Sequence, residues 1–369
     1  MAGKYDVIGV LGEGLTGIVY DARALDSGKS VALKVMHGDL AGDPQIRGRF
    51  QREAAILRRL EGPHICPILD FGETENDEGQ ATLYIALPRI SGPSLEERMK
   101  ENGPLPVGRV LDWMLEICAA LRAAHSQGVI HRDLKPANVM LENGEKVIVV
   151  DFGMSKILTG TGTGTTNLTA HNMLFGTPEY MSPEQARGDD LDARCDVYAA
   201  GVMLYELLTG TTPFSGPTPL SVLTAHLTAD VEPPSQRDKT GRVTPALESV
   251  VLHALARDRD ARYPSVSAFG TAILQARSAP SEVSTVAPQA FASSTTDAFA
   301  TTMPSLGVPE LRSDPPPAIV QEVKRSNRPK KSDRPRAKEV AAETSKTWVV
   351  VWVVAAMASI GLGVYFALR

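Results

Sequence analysis

The residues between His131 and Asn138 bring together side chains that could carry a reaction. The segment reads HRDLKPAN, so the carboxylate of Asp133 stands two positions before the ammonium of Lys135. A positioned carboxylate can accept a proton, an ammonium can neutralise negative charge, and carboxylate and amide oxygens suit magnesium. Each of these residues taken alone is more often a surface or capping residue. Their chemistry therefore depends on the elements that position them.

A glycine-rich segment near the N-terminus has the spacing of a phosphate-binding loop. Residues 12–19 read GEGLTGIV, which is the pattern GxGxxGxV, and glycine lets backbone amides approach phosphates closely. Residues 5–11 predict a strand before the loop, and residues 18–23 continue as a second strand. A dinucleotide-binding fingerprint would instead lead into a helix. The pattern favours a β-hairpin, and a hairpin with no ligand stays an alternative at this point.

A lysine in an apolar strand follows the predicted hairpin. Residues 31–34 read VALK, and a buried ammonium at Lys34 needs an anionic partner. Nucleotide phosphates are one candidate. The other is Glu53, on a predicted helix over residues 50–60 whose apolar residues recur at helical spacing. Glu53 could pair with Lys34 and orient it, or it could be a surface glutamate.

The order of these motifs along the chain resembles that of the protein-kinase superfamily. Behind an apolar strand at residues 147–150 the chain reads DFG at residues 151–153. Residues 176–184 read GTPEYMSPE and resemble the segment that closes a kinase activation loop, with Arg262 as the implied partner of Glu184. The similarity covers about residues 5–275. The stretches SPEQARG and RDRDARYPS are similar to those of bacterial eukaryotic-like serine/threonine kinases.

The resemblance implies a role for each polar residue of these motifs. Asp133 would accept the proton of the substrate hydroxyl, and Lys135 would reach the transferring phosphoryl group. Lys135 also favours serine or threonine over tyrosine as the acceptor. Asn138 and Asp151 would hold Mg²⁺, with Mn²⁺ as an alternative. Lys34 would hold the α- and β-phosphates of ATP, with Glu53 as its orienting partner.

The resemblance also implies an ATP site between two lobes. Leu87 would be the gatekeeper, and residues 88–90 would form the hinge beside the adenine. Pro88 is a departure, because the family usually has an acidic residue there and proline has no N–H. Its carbonyl can still accept a hydrogen bond, and Ile90 can donate one. The implied nucleotide-binding residues are Leu11, Gly12, Gly14, Gly17, Val19, Ala32, Lys34, Leu87, Pro88, Ile90 and Met140.

Regulation by autophosphorylation is a further implication of the resemblance. In related kinases the arginine at the position of Arg132 binds a phosphorylated residue of the activation loop. The corresponding loop, residues 154–183, is rich in threonine. Its distance from the closing segment makes Thr169 the predicted site, with Thr165 and Thr166 next. A flexible linker without a regulatory role is the alternative, and a dimer would allow one chain to phosphorylate another.

Composition divides the 369-residue chain into three regions. Residues 1–277 are predicted to form an α+β, bilobal protein-kinase domain, with an antiparallel β N-lobe over about residues 1–87. A mainly helical C-lobe would cover about residues 91–277. Residues 278–346 are rich in Ser, Thr and Pro, which predicts a disordered linker. The net charge of −5 gives no basic signature, so no nucleic-acid partner is expected.

An uncharged apolar run occupies residues 347–368. As a helix it would span about 33 Å, enough for one transmembrane crossing. Residues 324–338, in the juxtamembrane part of the linker, carry eight Lys or Arg against one Asp. The positive-inside rule then predicts a single-pass protein of the cell membrane with a cytoplasmic kinase domain. Only Arg369 follows the run, so we expect no sensor domain beyond it.

The predicted function is therefore that of a membrane-anchored serine/threonine protein kinase. It would transfer the γ-phosphoryl group of ATP to Ser or Thr of protein substrates. A pseudokinase is an alternative that would need one of the charged or amide motif residues to be lost, and none is. A small-molecule kinase is another, although residues 176–184 look like protein-substrate machinery. A membrane scaffold that recruits partners through the linker could coexist with catalysis.

Overall fold

The structure is a computed structural model that describes residues 1–14, 17–37, 41–75, 79–102, 105–154, 177–238 and 240–278. The chain divides into the units Met1–Ala287 and Pro288–Arg369, and all described residues belong to the first. Across the described ranges, no helix combines the length and the apolar character needed to cross a membrane. The predicted linker, the apolar run and the activation-loop threonines lie outside these ranges.

The N-terminal lobe is a five-stranded antiparallel sheet with one long helix. The strand order is β1-β2-β3-β5-β4. Helix α1 begins after Asp43, whose side chain accepts a hydrogen bond of 2.7 Å from the Gln45 amide, and Pro44 occupies its first turn. Both features are typical of helix starts. The elements are β1 (Tyr5–Gly14), β2 (Gly17–Ala24), β3 (Ser30–Met36), α1 (Pro44–Leu57), β4 (Asp70–Glu75) and β5 (Ala81–Pro88).

One carboxylate ties the two edge strands of this sheet together. Asp70, at the start of β4, accepts hydrogen bonds from Lys4 Nζ at 2.9 Å and from the hydroxyls of Tyr5 and Tyr84 at 3.2 and 3.0 Å. Lys4 immediately precedes β1, and Tyr5 is its first residue. Because β1 and β4 are the outermost strands in the pairing order, this contact means that the sheet is strongly curled.

The C-terminal lobe is mainly helical and is built around a long buried helix, α5. Thirteen of its sixteen residues are buried, because neighbouring helices cover it on several sides. A helix that is apolar nearly all round belongs in the middle of a domain. The helices are α2 (Leu95–Asn102), α3 (Val107–Ser126), α4 (Pro183–Arg187), α5 (Arg194–Thr209), α6 (Pro219–Thr228), α7 (Pro234–Arg237), α8 (Pro245–Ala254) and α9 (Val266–Ser278).

A two-stranded hairpin and a close backbone contact connect the lobes. Strands β6 (Val139–Glu142) and β7 (Lys146–Val149) pair antiparallel at the base of the C-lobe cleft. Gly92, just after β5, has a φ of +134°, and a Cβ there would lie 2.1 Å from the Leu141 carbonyl oxygen. Only glycine fits this crossing. The predicted bilobal α+β fold is thus confirmed, whereas the exact domain boundaries stay predictions.

Candidate active site

The sheet register places four predicted nucleotide-binding side chains on one face. Val19 pairs with Lys34 across β2 and β3, and Ala32 pairs with Leu87 across β3 and β5. Directly paired residues share a face of the sheet, as do residues two apart on one strand. The ammonium of Lys34 therefore stands on the same face as three apolar side chains. This face can hold an apolar ring and an anionic group side by side.

The glycine-rich hairpin closes this face at its N-terminal end. Leu11, Gly12 and Gly14 lie at the end of β1, and Gly14 pairs with Gly17 at the start of β2. Gly17 has a φ of +157°, and a Cβ there would lie 2.0 Å from the Val35 carbonyl oxygen. A side chain at this position would push β2 away from β3. Glycine is therefore required for the close packing of the two strands.

The hinge segment follows β5 directly. Pro88 is the last residue of the strand, and Ile90 is buried. The Arg89 guanidinium donates to the Ile90 carbonyl oxygen at 2.7 Å and lies 3.7 Å from an Asp21 carboxylate oxygen. Met140, on β6, is half-buried. The predicted hinge residues thus lie between the face of β2, β3 and β5 and the C-lobe hairpin.

Lys34 forms an ion pair with Asp151 across the cleft. Lys34 Nζ lies 2.6 Å from Asp151 Oδ2, and both side chains are largely shielded from solvent, at 12% and 23% exposure. Burial acts to raise the pKa of Asp151, but the ammonium of Lys34, with a smaller contribution from Lys135, outweighs it and holds the pKa below its usual value. Asp151 is therefore ionised at neutral pH.

The structure thus differs from the expected pairing of Lys34. Glu53 lies half-buried on α1, as the helical pattern predicted, but the ion pair formed by Lys34 is with Asp151. Spacing along the chain gave no signal for Asp151 as a partner, because it lies 117 positions from Lys34. The orienting role of Glu53 stays a prediction.

The predicted catalytic residues converge around Asp133. Lys135 Nζ lies 3.0 Å from Asp133 Oδ2, and Asn138 Nδ2 donates to the Asp133 carbonyl oxygen at 2.7 Å and to Oδ2 at 3.2 Å. Lys135 Nζ also donates to Thr177 Oγ1 at 2.9 Å. Because the side-chain nitrogen of Asn138 points to Asp133, its side-chain oxygen Oδ1 is directed elsewhere and is able to serve as a ligand. The carboxylate thus has a cation and an amide beside it.

Asp196 fixes the backbone in front of Asp133. Its buried carboxylate accepts hydrogen bonds from the amides of His131 at 2.8 Å and Arg132 at 2.9 Å, and from His125 Nε2 at 2.7 Å. Burial acts to raise the pKa of Asp196, but these donors hold it below its usual value. Arg132 and Asp151 both have positive φ, at +67° and +62°, which non-glycine residues adopt only when neighbours enforce it.

Three more contacts join the loop of Asp133 to the segment of Asp151. His131 Nε2 lies 3.0 Å from the Val150 carbonyl oxygen, and the His131 ring packs on Phe152 with centroids 4.7 Å apart. The Val150 amide donates to the Asn138 carbonyl oxygen at 3.0 Å. The two motifs, which have twelve residues between them in the chain, therefore form one rigid unit that holds Asp133, Asn138 and Asp151.

Replacing Asp196 by alanine should lower the free energy of unfolding by about 2–3 kcal/mol, because buried amides lose their acceptor. Hydrogen exchange at the His131 and Arg132 amides should accelerate at the same time. Urea unfolding and amide exchange of the full chain measure the two effects. Asp192→Ala, a nearby half-exposed carboxylate, is the matched control and should cost at most about 1 kcal/mol. Equal stability of the two variants would contradict the role of Asp196 in holding the backbone of His131 and Arg132.

A buried ion pair anchors the segment that follows residues 155–176. Arg262 donates to both carboxylate oxygens of Glu184, each at 2.7 Å, which confirms the predicted partnership. Gln185 Nε2 donates to the Arg132 carbonyl oxygen at 2.7 Å. The short turn Pro178–Tyr180 is held between this anchor and the contact of Thr177 with Lys135. The predicted sites Thr165, Thr166 and Thr169 lie outside the described residues.

Sequence reasoning missed three residues that shape the site, namely His125, Gln185 and Asp196. One feature of the sequence could have indicated Asp196, since it is a carboxylate in the first turn of a mostly apolar helix. A buried carboxylate needs donors, and donors are what the backbone of the catalytic loop supplies. His125 and Gln185 have no comparable signal, because both types are common on helix surfaces.

Comparison with known proteins places this site in context. The family model "Protein kinase domain" matches residues 5–271. The chain is 42% identical over 273 residues to the serine/threonine-protein kinase pkn3 of Myxococcus xanthus, covering 73% of this chain and 49% of that protein. It is 40% identical over 267 residues to the serine/threonine-protein kinase PknB of Mycolicibacterium smegmatis, covering 72% and 42%. The chain thus spans less than half the length of these curated relatives.

Solved structures show the same fold. The kinase domain of Mycobacterium tuberculosis PknI superimposes with a TM-score of 0.57 at 29% sequence identity, covering 75% of this chain and 96% of that domain. Rad53 in complex with AMP-PNP gives a TM-score of 0.58 at 23% identity, covering 72% of this chain and 64% of that one. The aligned part corresponds in extent to the two lobes described above.

Proposed function

Because the chain belongs to the protein kinase family, we propose that it transfers the γ-phosphoryl group of ATP to serine or threonine hydroxyls of protein substrates. The observation that carries this proposal is the position of Lys135. Its ammonium contacts the Asp133 carboxylate at 3.0 Å and the Thr177 hydroxyl at 2.9 Å. A proton acceptor, a cation and the hydroxyl of Thr177, which begins the segment expected to contact the protein substrate, therefore lie together.

The geometry divides the work of the transfer among three residues. Asp133 orients the acceptor hydroxyl and takes its proton as the oxygen attacks the γ-phosphorus, while the bond to the ADP oxygen breaks. Lys135 neutralises charge on the phosphoryl group during the transfer. Lys34, on the nucleotide face of the sheet, binds the α- and β-phosphates. The bridging pair of Lys34 with Asp151 shows that this ammonium reaches the floor of the cleft.

The oxygen donors at the cleft fit a magnesium ion. Asp151 is ionised, and the side-chain oxygen Oδ1 of Asn138 is directed away from Asp133. Magnesium usually takes one or two protein oxygens and completes its shell with water and substrate phosphates. Asn138 and Asp151 would hold the ion, with Mn²⁺ as an alternative. The ion would supply charge neutralisation at the phosphates.

The test of this function is phosphate transfer by the full chain with radiolabelled ATP and Mg²⁺. We expect labelling of the chain itself and of casein, a reporter protein with serine and threonine acceptors. Phosphosites should be serine or threonine and not tyrosine. If ATP binds but neither protein is labelled, the chain is a nucleotide-binding scaffold. Labelling of tyrosine alone would refute the proposed acceptor class.

The same proposal includes control by phosphorylation of residues 154–183. Arg132, held with positive φ beside the catalytic aspartate, is the expected partner of the phosphate. Replacing Thr169 by alanine should lower activity about tenfold, within the usual range of coupling free energies. Mass spectrometry and initial rates measure phosphate incorporation and activity, with Thr161→Ala as the control. A Thr169→Ala chain with full activity and full incorporation would exclude this residue and turn attention to Thr165 and Thr166.

We also propose that residues 347–368 anchor the chain in the cell membrane, with the kinase domain in the cytoplasm. The proposal rests on the uncharged apolar run and on the basic residues 324–338 before it. A tag fused to the N-terminus should fractionate with membranes and resist externally added protease in intact cells. A soluble distribution of the full chain would refute the anchor. Self-labelling that rises with the square of chain concentration would support dimer-dependent phosphorylation.

A further inference from the structure

His226 is a fully buried imidazole that the reaction as described does not use. It lies on α6, at 0% exposure, and its Nδ1 lies 2.7 Å from the Tyr198 hydroxyl. The rings of Tyr198 and Phe214 enclose it, with centroids 5.6 and 4.9 Å away. Helix α6 also packs against the turn Pro178–Tyr180. The imidazole therefore lies between the C-lobe core and the turn that follows Thr177.

The second ring nitrogen of His226, Nε2, is buried and has no regular hydrogen bond to any residue that the structure describes. The backbone carbonyls of Pro178 and Glu179, in the turn against which α6 packs, act on the ring by favouring its charged form. Burial lowers the pKa of His226 to about 4, against a smaller opposite effect of these carbonyls, so the ring is neutral at neutral pH. A neutral imidazole has one N–H and one bare nitrogen.

The surroundings decide which nitrogen carries the proton. Carbonyl oxygens only accept hydrogen bonds. An unprotonated Nε2 would bring its lone pair towards their partial negative charge, whereas a protonated Nε2 would offer them an N–H donor. The proton therefore belongs on Nε2, and Nδ1 accepts from the Tyr198 hydroxyl at 2.7 Å. A buried N–H without a regular acceptor is a spare donor for the turn against which α6 packs.

Tyr198 and Thr177 extend this contact in both directions. The Arg262 guanidinium lies 4.8 Å from the Tyr198 ring centroid and is itself paired with Glu184. On the other side, Thr177 precedes the turn and accepts from Lys135, which contacts Asp133. A shift of the turn would therefore move the wall beside the acceptor hydroxyl. The nucleotide face of the sheet has no part in this chain of contacts.

From this geometry we infer that His226 is a positioning residue, whose Nε2–H holds the carbonyls of Pro178 and Glu179 and so sets the turn that receives the protein substrate. The inference rests on the proposed kinase function. It assigns His226 to binding of the protein substrate and not to binding of ATP. Its partner in this role is the Tyr198 hydroxyl, which fixes the tautomer of the ring.

The kinetic test compares two replacements in the full chain. His226→Phe keeps a buried ring but removes both nitrogens, and it should raise the KM for casein about tenfold with the KM for ATP unchanged. His226→Gln can place an amide N–H near the position of Nε2, and it should recover most of the loss. Equal KM values for casein in wild type and His226→Phe, at matched melting temperatures, would overturn the inference. A parallel loss in both KM values without rescue by glutamine would indicate a merely structural residue and overturn it as well.

The tautomer test does not depend on activity. Full-length chain labelled with ¹⁵N-histidine should show His226 as the Nε2–H tautomer in long-range proton–nitrogen spectra, with the signal assigned by its loss in His226→Gln. Tyr198→Phe should shift the Nδ1 resonance because the donor is removed. A Nδ1–H tautomer would overturn the inference even if the kinase function holds. A correct tautomer in a chain that labels no protein would refute the kinase function alone.

Discussion

Replacing Asp133 by asparagine should reduce phosphate transfer about 10³-fold, within the range expected for loss of a positioned general base. Asparagine keeps the size of the side chain but cannot take the hydroxyl proton, and it gives Lys135 a neutral neighbour in place of the carboxylate 3.0 Å away. Initial rates of phosphate incorporation into casein measure the effect. Binding of ATP, followed by calorimetry, should change little because Lys34 and Asp151 are untouched.

The matched control for this variant is Asp230→Asn. Asp230 undergoes the same chemical change at a fully solvated position, where it pairs with Arg257 at 2.6 Å. We expect wild-type rates from it. If Asp133→Asn keeps more than a tenth of the activity while Asp230→Asn is normal, Asp133 is not the proton acceptor. Equal losses in both would indicate a general effect of lost negative charge.

Breaking the pair of Glu184 with Arg262 should lower the free energy of unfolding by about 3–5 kcal/mol. The Glu184→Ala variant leaves the Arg262 guanidinium, at 0% side-chain exposure, without its carboxylate. Burial acts to raise the pKa of Glu184, but Arg262 holds it below its usual value. The carboxylate therefore contributes stability above its unfolded-state pKa, and this contribution is lost as the pH falls through the folded-state pKa. Urea unfolding at pH 7 and at lower pH measures both effects.

An exposed ion pair provides the control for this prediction. Arg277 and Asp112 pair at 2.5 Å with both side chains more than two-fifths exposed, so Asp112→Ala should cost at most about 1 kcal/mol. The double variant Glu184→Leu with Arg262→Met should regain much of the stability lost in Glu184→Ala, because no buried charge remains. A cost for Glu184→Ala no larger than that for Asp112→Ala would show that the buried pair is not an anchor.

The order of motifs was enough to predict the two lobes, because each motif carries its element with it. The hairpin, the strand of Lys34, the catalytic loop and the closing segment all lie on the elements expected for them. Helix boundaries were less accurate. The helix predicted over residues 50–60 begins at Pro44. Asp43 caps it there, and the first turns are too polar to be found from the spacing of apolar residues.

Partners of charged residues were harder to predict than the residues themselves. Lys34 needed an anion, for which the sequence suggested nucleotide phosphates or Glu53, and the structure pairs it with Asp151. The hydrogen bonds to Asp196 depend on α5 lying beside the loop of Asp133, and the burial of His226 depends on α6 lying beside α5. Such contacts join residues 28 to 71 positions apart, and nothing in local spacing specifies them.

The hydrogen bonds to Asp70 fix one end of β1 in the N-lobe. It holds β1 at Lys4 and Tyr5, whereas the glycines predicted to face the nucleotide lie at the opposite end, near Gly14. At about 3.3 Å per residue, the ten residues of β1 separate the two ends by roughly 30 Å. We therefore expect thermal motion of β1 to be smallest at the end that Asp70 holds and largest at the glycine-rich end.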